Sequence, residues 1–181
     1  MLTLLKLLKD GRFHSGQALG AALGISRSAV WKQLQRLEAD LNLSIHKVRG
    51  RGYQLASPLE LLEKEQLTDS CFPVFIHESL DSTNAQALRE ISSGLPAPFI
   101  ILAEQQSAGR GRRGRKWVSP FAQNIYYSLV LRVDGGMRQL EGLSLVVGLA
   151  VLGALRDFGD FEAGLKWPND ILVGNKKIAG I

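Results

Sequence analysis

Cysteine is almost missing from this sequence. The single one among 181 residues, Cys71, excludes an internal disulfide framework and a cysteine-built metal site. It suits a reducing cytoplasm better than secretion. Histidine is scarce as well. His14 and His46 have no partners at ligand spacing, so no metal site is assigned and neither carries chemistry. No Ser/His/Asp constellation stands out, and there is no internal repeat or low-complexity tract. Long apolar runs are also lacking. The Leu-rich start is interrupted by Lys6 and Lys9 and has no small-residue cleavage site, unlike a signal peptide. The longest apolar stretch, Leu143–Leu155, contains Gly148 and Gly153 and is short for about 30 Å of hydrocarbon. The expectation is a cytoplasmic protein without a membrane segment, with that stretch forming a buried core helix.

Acidic residues are scarce only in the first third. Residues 1–57 hold nine Lys/Arg against three Asp/Glu, a net +6; residues 58–181 hold thirteen against fourteen, a net −1. The whole excess behind the net charge of +5 therefore sits at the N-terminus, which points to a polyanion partner for that segment alone. Within the remainder, five basic residues crowd into Arg110–Lys116. With 45% hydrophobic residues, the chain has enough apolar surface to fold into packed cores.

The periodicity divides the chain. Residues 1–57 read as three short helices and a hairpin. Leu4, Leu5 and Leu8 share one face of the first helix, and Ser15 caps a second that ends near Leu23. Ser26 caps a third running to about Ala39, with Val30, Leu34 and Leu37 on one stripe. Strands at Ser44–Val48 and Tyr53–Ala56 flank the Arg49-Gly-Arg-Gly52 turn. Ser57-Pro58 opens a linker over residues 58–71, read as a helix across Leu59–Ser70. Residues 72–181 alternate strand and helix: strands at Val74–His77, Phe99–Ala103, Asn124–Val133, Gly164–Trp167, Ile171–Val173 and Lys177–Ile181, and helices at Thr83–Ser92 and Leu140–Leu155. The fold class is α+β, a winged helix-turn-helix followed by a mixed sheet covered by helices. Because the last residues read as mid-strand, the second domain is expected to be incomplete and its open edge prone to aggregation.

Helix, glycine turn, helix and basic hairpin make the winged-helix pattern. The third helix turns Arg27, Ser28, Lys32, Gln35 and Arg36 outward; Arg and Gln suit the edges of guanine and adenine. Lys47, Arg49 and Arg51 on the wing suit phosphates or the minor groove. A protein-protein module with solvated charges is the alternative. Trp31 is open between core, hairpin packing and DNA contact, with core the default.

The Gly109-Arg-Gly-Arg-Arg-Gly-Arg-Lys-Trp117 segment lies between two buried strands, where a loop on a rigid scaffold carries binding groups. Its glycines let backbone N–H groups approach an anion, and its arginines offer planar paired donors. It is not a Walker loop. Taken alone, it reads equally well as a polyanion-binding basic loop. Asp81-Ser-Thr-Asn84 sits at a strand-to-helix junction whose side chains and amides suit a polar group, or simply cap the helix. Lys166-Trp-Pro-Asn-Asp170 reads as a turn with an exposed lysine.

Together these segments, with Glu104–Gln106 and Lys177-Ile-Ala-Gly180, resemble the family of bifunctional biotin-protein ligases and biotin operon repressors. The resemblance extends over essentially the whole chain, and the winged helix points to its repressor-bearing class. It implies a two-step reaction. Biotin carboxylate attacks the α-phosphate of ATP, forming biotinyl-5′-adenylate and releasing pyrophosphate. A lysine of the biotin carboxyl carrier domain then attacks the mixed anhydride and releases AMP. Mg²⁺ arrives with the nucleotide phosphates. By position, the resemblance makes Ser82, Thr83, Asn84 and Gln106 binders of the biotin rings. Arg110, Gly111 and Arg112 become the loop over biotin and adenylate, Arg115 a phosphate contact and Trp117 the nucleotide border. Lys166 becomes the lysine at the carboxylate and acyl phosphate, with Arg112 beside it in the catalytic role. It further implies a homodimer that forms when adenylate is bound and that binds operator DNA. Three other readings stay open: a non-catalytic ligand-sensing regulator, a lipoate-type ligase, and an RNA-binding protein using Arg110–Lys116.

Overall fold

A computed structural model describes residues 2–159 and 162–181. It divides into two compact units, Met1–Leu131 and Arg132–Ile181.

The first unit begins with α1 (Leu2–Leu8), α2 (Gly16–Leu23) and α3 (Arg27–Leu41). Ser15 Oγ accepts from the Ala18 N–H at 3.0 Å and Ser26 Oγ from Ala29 at 3.2 Å, so both serines satisfy first-turn donors. Gly24, at φ 65°, ends α2 in the left-handed region. Leu4, Leu5 and Leu8 meet Val30, Leu34 and Leu37 in a core where all six are fully buried. Strands β1 (Ile45–Val48) and β2 (Gly52–Leu55) pair antiparallel, with Ile45 opposite Leu55. His14 and Tyr53 exchange backbone hydrogen bonds at 2.8 and 2.9 Å, tying the α1–α2 connection to the wing. Gly52 is obligatory here: its φ is +108° and a Cβ would collide with the His14 carbonyl. Trp31 is 44% exposed, so the default core assignment is corrected; α3 turns it away from the Val30–Leu34–Leu37 stripe.

The helix expected across Leu59–Ser70, within the linker 58–71, does not form. Its only helical piece is a 3₁₀ turn at Lys64–Gln66. The reason lies in its backbone donors: Leu59 N–H bonds the Lys9 carbonyl at 2.9 Å and Leu62 N–H bonds the Glu104 carboxyl at 2.5 Å. Tertiary acceptors thus replace the i−4 carbonyls a helix would need. Leu61 is buried in the winged-helix core, and Lys9 pairs with Glu63 at 2.6 Å.

Strand β3 (Val74–His77) runs parallel to β4 (Phe99–Ala103), and β5 (Tyr126–Val130) antiparallel to it, giving a mixed sheet in the order β3-β4-β5. All five residues of β4 are buried, as its uninterrupted apolar run predicts. Helix α4 (Thr83–Ser92) covers one face, with Ala87 packed on Phe99 and Ile101. The strand expected over Asn124–Val133 is shorter, and its apolar row faces outward. Ile125 is 76% and Tyr127 50% exposed, while Tyr126 is buried.

The second unit holds α5 (Leu143–Phe158) and the meander β6 (Ala163–Lys166), β7 (Asp170–Val173) and β8 (Lys176–Gly180). Gly174, φ 54°, turns β7 into β8. Gly148 lets α5 approach β6; a Cβ there would stand 2.6 Å from Leu165 Cδ1. The expectation that α5 is a buried core helix is corrected. Gly148 and Leu152 are buried, but Val146 and Leu149 are each 63% exposed. A helix apolar all round needs cover on every side, and the three short strands of its unit cover one. By length and composition alone, the helical stretch Arg138–Phe158 suffices to cross a membrane. Its continuous α-helix has 16 residues, about 24 Å at 1.5 Å per residue, against about 30 Å of hydrocarbon.

Candidate functional site

The junction from β3 to α4 assembles a buried polar network. Ser82, 5% exposed, caps α4 by accepting from the Ala85 N–H at 3.4 Å. Thr83, 4% exposed, donates its backbone N–H and its hydroxyl to Gln106 Oε1, at 2.8 and 3.2 Å. Gln106 Nε2 donates to Ser119 Oγ at 3.1 Å, and Ser119 donates to the Trp117 carbonyl at 3.2 Å. From β5, Ser128 donates to Thr83 Oγ1 at 2.9 Å. A parallel pairing brings the two halves together: Leu80 N–H bonds the Gln105 carbonyl, and Ser107 and Ala108 bond back to Leu80 and Asp81. Asp81 takes two bonds from Arg89, at 2.7 and 2.9 Å. That guanidinium, with the Ser82 N–H, holds its carboxyl far below the usual range. Asn84, one residue into α4, is exposed.

The arginine loop is a small hairpin rising from this network. Arg110 pairs with Lys116 in antiparallel fashion. Gly111 N–H bonds the Arg115 carbonyl at 2.7 Å, and Trp117 N–H the Gly109 carbonyl at 2.9 Å. Arg113 (φ 58°) and Gly114 (φ 72°) make the turn. Gly109 is buried at its base, where a Cβ would lie 2.6 Å from Ser119 Oγ and 2.7 Å from the Trp117 carbonyl. Arg110, Arg112 and Arg115 are exposed on the hairpin, and Gly111 and Trp117 are half-buried. The arrangement is a cationic flap over a neutral, directional hydrogen-bonding cradle. It suits a ligand with a polar uncharged part and an anionic part.

The structure thus joins Thr83, Gln106 and Trp117 through Ser119, beside Ser82, at the base of the hairpin that carries Arg110, Gly111, Arg112 and Arg115, while Asn84 lies on the first turn of α4. Lys166 belongs to the second unit. It ends β6 opposite Asp170, exposed beside the cis Trp167–Pro168 bond. The turn behind it is stapled: Asn169 and Ile181 exchange two bonds of 2.9 Å, Lys177 pairs with Asp170 at 2.7 Å, and Ser144 donates to the Pro168 carbonyl. Sequence reasoning missed Ser119 and Ser128. A faint signal existed for Ser128, the one small polar residue in the run Ile125–Leu131. Among the described residues, no three His, Cys, Asp or Glu side chains are grouped to hold a metal ion.

On the winged helix, Arg27, Ser28, Lys32, Gln35 and Arg36 are all exposed along α3, as are Lys47, Arg49 and Arg51 on the wing. Two wing cations have partners: Lys47 binds Glu38 at 2.5 Å, and Arg51 stacks on the Phe13 ring at 4.2 Å.

Fold and site define a class: a winged-helix head joined to an α+β ligand-binding domain with a cationic hairpin. Residues 76–181 match the biotin/lipoate A/B protein ligase family, and the chain belongs to that family. Residues 1–54 match an HTH domain. The chain is 42% identical over 99% of its length to the bifunctional ligase/repressor BirA of Salmonella typhimurium and equally to that of Escherichia coli. It spans 56% of the length of each. A biotin–[acetyl-CoA-carboxylase] ligase of Paracoccus denitrificans is 48% identical over 103 residues, covering 56% of this chain and 42% of its own. Two solved structures each superpose with a TM-score of 0.51 at 32% identity over 60% of this chain. They are the Helicobacter pylori biotin acetyl coenzyme A carboxylase synthetase with bound biotinylated ATP, over 53% of that chain, and the Aquifex aeolicus biotin protein ligase with biotin and ATP, over 44%.

Proposed function

We propose that this chain is a bifunctional biotin-protein ligase and biotin operon repressor. On this reading residues 1–57 bind operator DNA, residues 58–71 link, and residues 72–181 form the N-terminal part of the catalytic domain. The observation that carries it is the Thr83–Gln106–Ser119 network at the base of the arginine hairpin. It offers fixed donors and acceptors for a neutral polar ring beside cations for an anion. Ser82, Thr83, Asn84 and Gln106 bind the biotin rings; Arg110, Gly111 and Arg112 close over biotin and the adenylate; Arg115 contacts phosphate, and Trp117 borders the nucleotide.

The chemistry joins two anions, so it needs orientation and positive charge more than a protein nucleophile. A biotin carboxylate oxygen attacks the α-phosphorus of ATP while the bond from that phosphorus to the α,β-bridging oxygen breaks and pyrophosphate leaves. A carrier lysine amine then attacks the acyl carbon and AMP leaves. Lys166 and Arg112 stabilise the oxygens on which charge develops. The residues present fit Mg²⁺ carried by nucleotide phosphates rather than caged by protein carboxylates. Bound there, it would neutralise triphosphate charge. The adenylate-bound chain forms a homodimer that binds operator DNA; the carrier partner is the biotin carboxyl carrier domain, and the setting is the cytoplasm, away from membranes.

The test is biotin- and ATP-dependent pyrophosphate release with detection of biotinyl-5′-adenylate, by the full chain and by Arg112→Ala. Release that depends on biotin and falls at least 100-fold in the variant is expected. Biotin binding with no pyrophosphate would instead indicate a non-catalytic ligand-sensing regulator, and preference for lipoate a lipoate-type ligase. Unchanged release with lost RNA binding in Arg112→Ala would assign the loop to RNA. Gel shifts with and without biotin and ATP test the repressor half; equal affinity for operator DNA in both would overturn the switch.

A further inference from the structure

We infer that Ser119 and Phe121 are positioning residues, forming a strut that ties the orientation of the Gln106 amide to the packing of the winged-helix core. The inference rests on the biotin-binding reading of Gln106.

Hydrogen-bond polarity fixes the first end of the strut. The Thr83 backbone N–H can only donate, so Gln106 must turn Oε1 toward it. Its Nε2 then faces Ser119 Oγ, 3.1 Å away. Ser119 therefore accepts there and spends its own proton on the Trp117 carbonyl, 3.2 Å away. No other assignment satisfies all three. Ser119, 7% exposed, thus holds the Nε2 end of an amide whose direction Thr83 sets.

Packing fixes the other end. Two residues on, Phe121 is 1% exposed and belongs to the core that holds Leu4, Leu5 and Leu8 of α1 and Leu34 and Leu37 of α3. Tyr126 donates its hydroxyl to the Pro120 carbonyl at 2.7 Å, and Ala122 N–H bonds the Glu104 carbonyl at 2.9 Å. The arm is therefore anchored on both sides of the ring. Two residues span at most about 7 Å, and Pro120 restricts the backbone between them, so the strut has little slack. A shift of Phe121 in the core moves the Ser119 hydroxyl.

The experiment compares the full chain with Ser119→Ala, Ser119→Thr, Phe121→Leu and, as a control in the same core but off the strut, Leu41→Ala. Biotin affinity is read by calorimetry, and amide hydrogen exchange at Thr83, Gly111 and Trp117 without ligand. Ser119→Ala is expected to weaken biotin by about 3- to 10-fold, the effect of one hydrogen bond, and Ser119→Thr to restore most of it. Phe121→Leu is expected to weaken biotin and to speed exchange at all three amides. Leu41→Ala is expected to lower the melting temperature and leave both readouts alone. Unchanged affinity and exchange in Ser119→Ala, or equal effects of Leu41→Ala and Phe121→Leu, would overturn the strut. Absence of biotin binding by the unmodified chain would instead defeat the proposed function, and the exchange comparison would still decide the strut.

Discussion

The Leu62 backbone N–H donates to Glu104 Oε1 at 2.5 Å, joining the linker to the end of β4. Glu104 is 6% exposed. Burial pushes its carboxyl above the ordinary value of 4.5, and the Leu62 bond only partly opposes this. A folded value above the unfolded one means the native state binds the proton more tightly. The stabilisation is then complete below the unfolded pKa and is lost as pH rises through the folded one. Glu104→Gln keeps an acceptor for Leu62 without the buried charge. It is expected to raise the melting temperature relative to the unmodified chain at pH 7–8 and to change it little at pH 4. Thermal melts across that range check it, and parallel profiles would refute it.

Gly109 sets the clearance at the base of the hairpin. A Cβ there would press on Ser119 Oγ and the Trp117 carbonyl, at 2.6 and 2.7 Å. The carbonyl is backbone, held by the hairpin, and Ser119 is engaged with Gln106, so neither yields freely. Gly109→Ala is expected to cost about 1–3 kcal/mol of stability, the usual range for overpacking, and to weaken biotin binding with it. Gly114→Ala is the contrast: nothing lies within 4 Å of its Cβ, and only its φ of +72° opposes the change. Denaturant melts and biotin titrations of the pair separate clash from backbone strain.

The elements whose partners lie nearby were legible in the sequence. Serine caps, the Gly24 stop and the Val30–Leu34–Leu37 stripe are local, and α2 and α3 formed accordingly. Thr83–Ser92 and Phe99–Ala103 matched residue for residue. What failed was decided at long range. Residues 59–70 carry helix-compatible letters, but Lys9 and Glu104 take their donors. The apolar row of β5 reads as a buried face, yet the face covered by α4 carries Ser128 and Val130. Site residues in recognisable motifs were legible as letters. Their wiring through Ser119 and Ser128 was not, because no spacing rule predicts a bond between residues 45 apart.

The outward row of β5 has a consequence for the isolated chain. Ile125, Tyr127, Leu129 and Leu131, in and beside β5, are 38–76% exposed, and apolar surface of this kind drives association. Concentration-dependent light scattering is expected at neutral pH. The double substitution Ile125→Lys and Tyr127→Lys, which puts like charges along the row, is expected to reduce it without altering the far-ultraviolet circular dichroism. Equal scattering from both chains would locate the association elsewhere.

The wing cations are not equivalent toward DNA. Lys47 Nζ sits 2.5 Å from Glu38 Oε2, so its charge is already paired within the protein, whereas Arg49 is exposed at the turn. Each phosphate neutralised by a protein cation releases condensed counterions and steepens the dependence of log K on log salt by about 0.9. Arg49→Ala is therefore expected to flatten that slope by about 1. Lys47→Ala is expected to leave it nearly unchanged, since the exposed pair it breaks contributes little energy of its own. Glu38→Gln frees Lys47 and is expected to steepen the slope, an effect lost again when Lys47→Ala is added. Fluorescence anisotropy with a labelled duplex between about 50 and 200 mM salt measures the unmodified chain and the four variants. A full unit lost on Lys47→Ala alone would mean that DNA, not Glu38, holds that lysine in the complex.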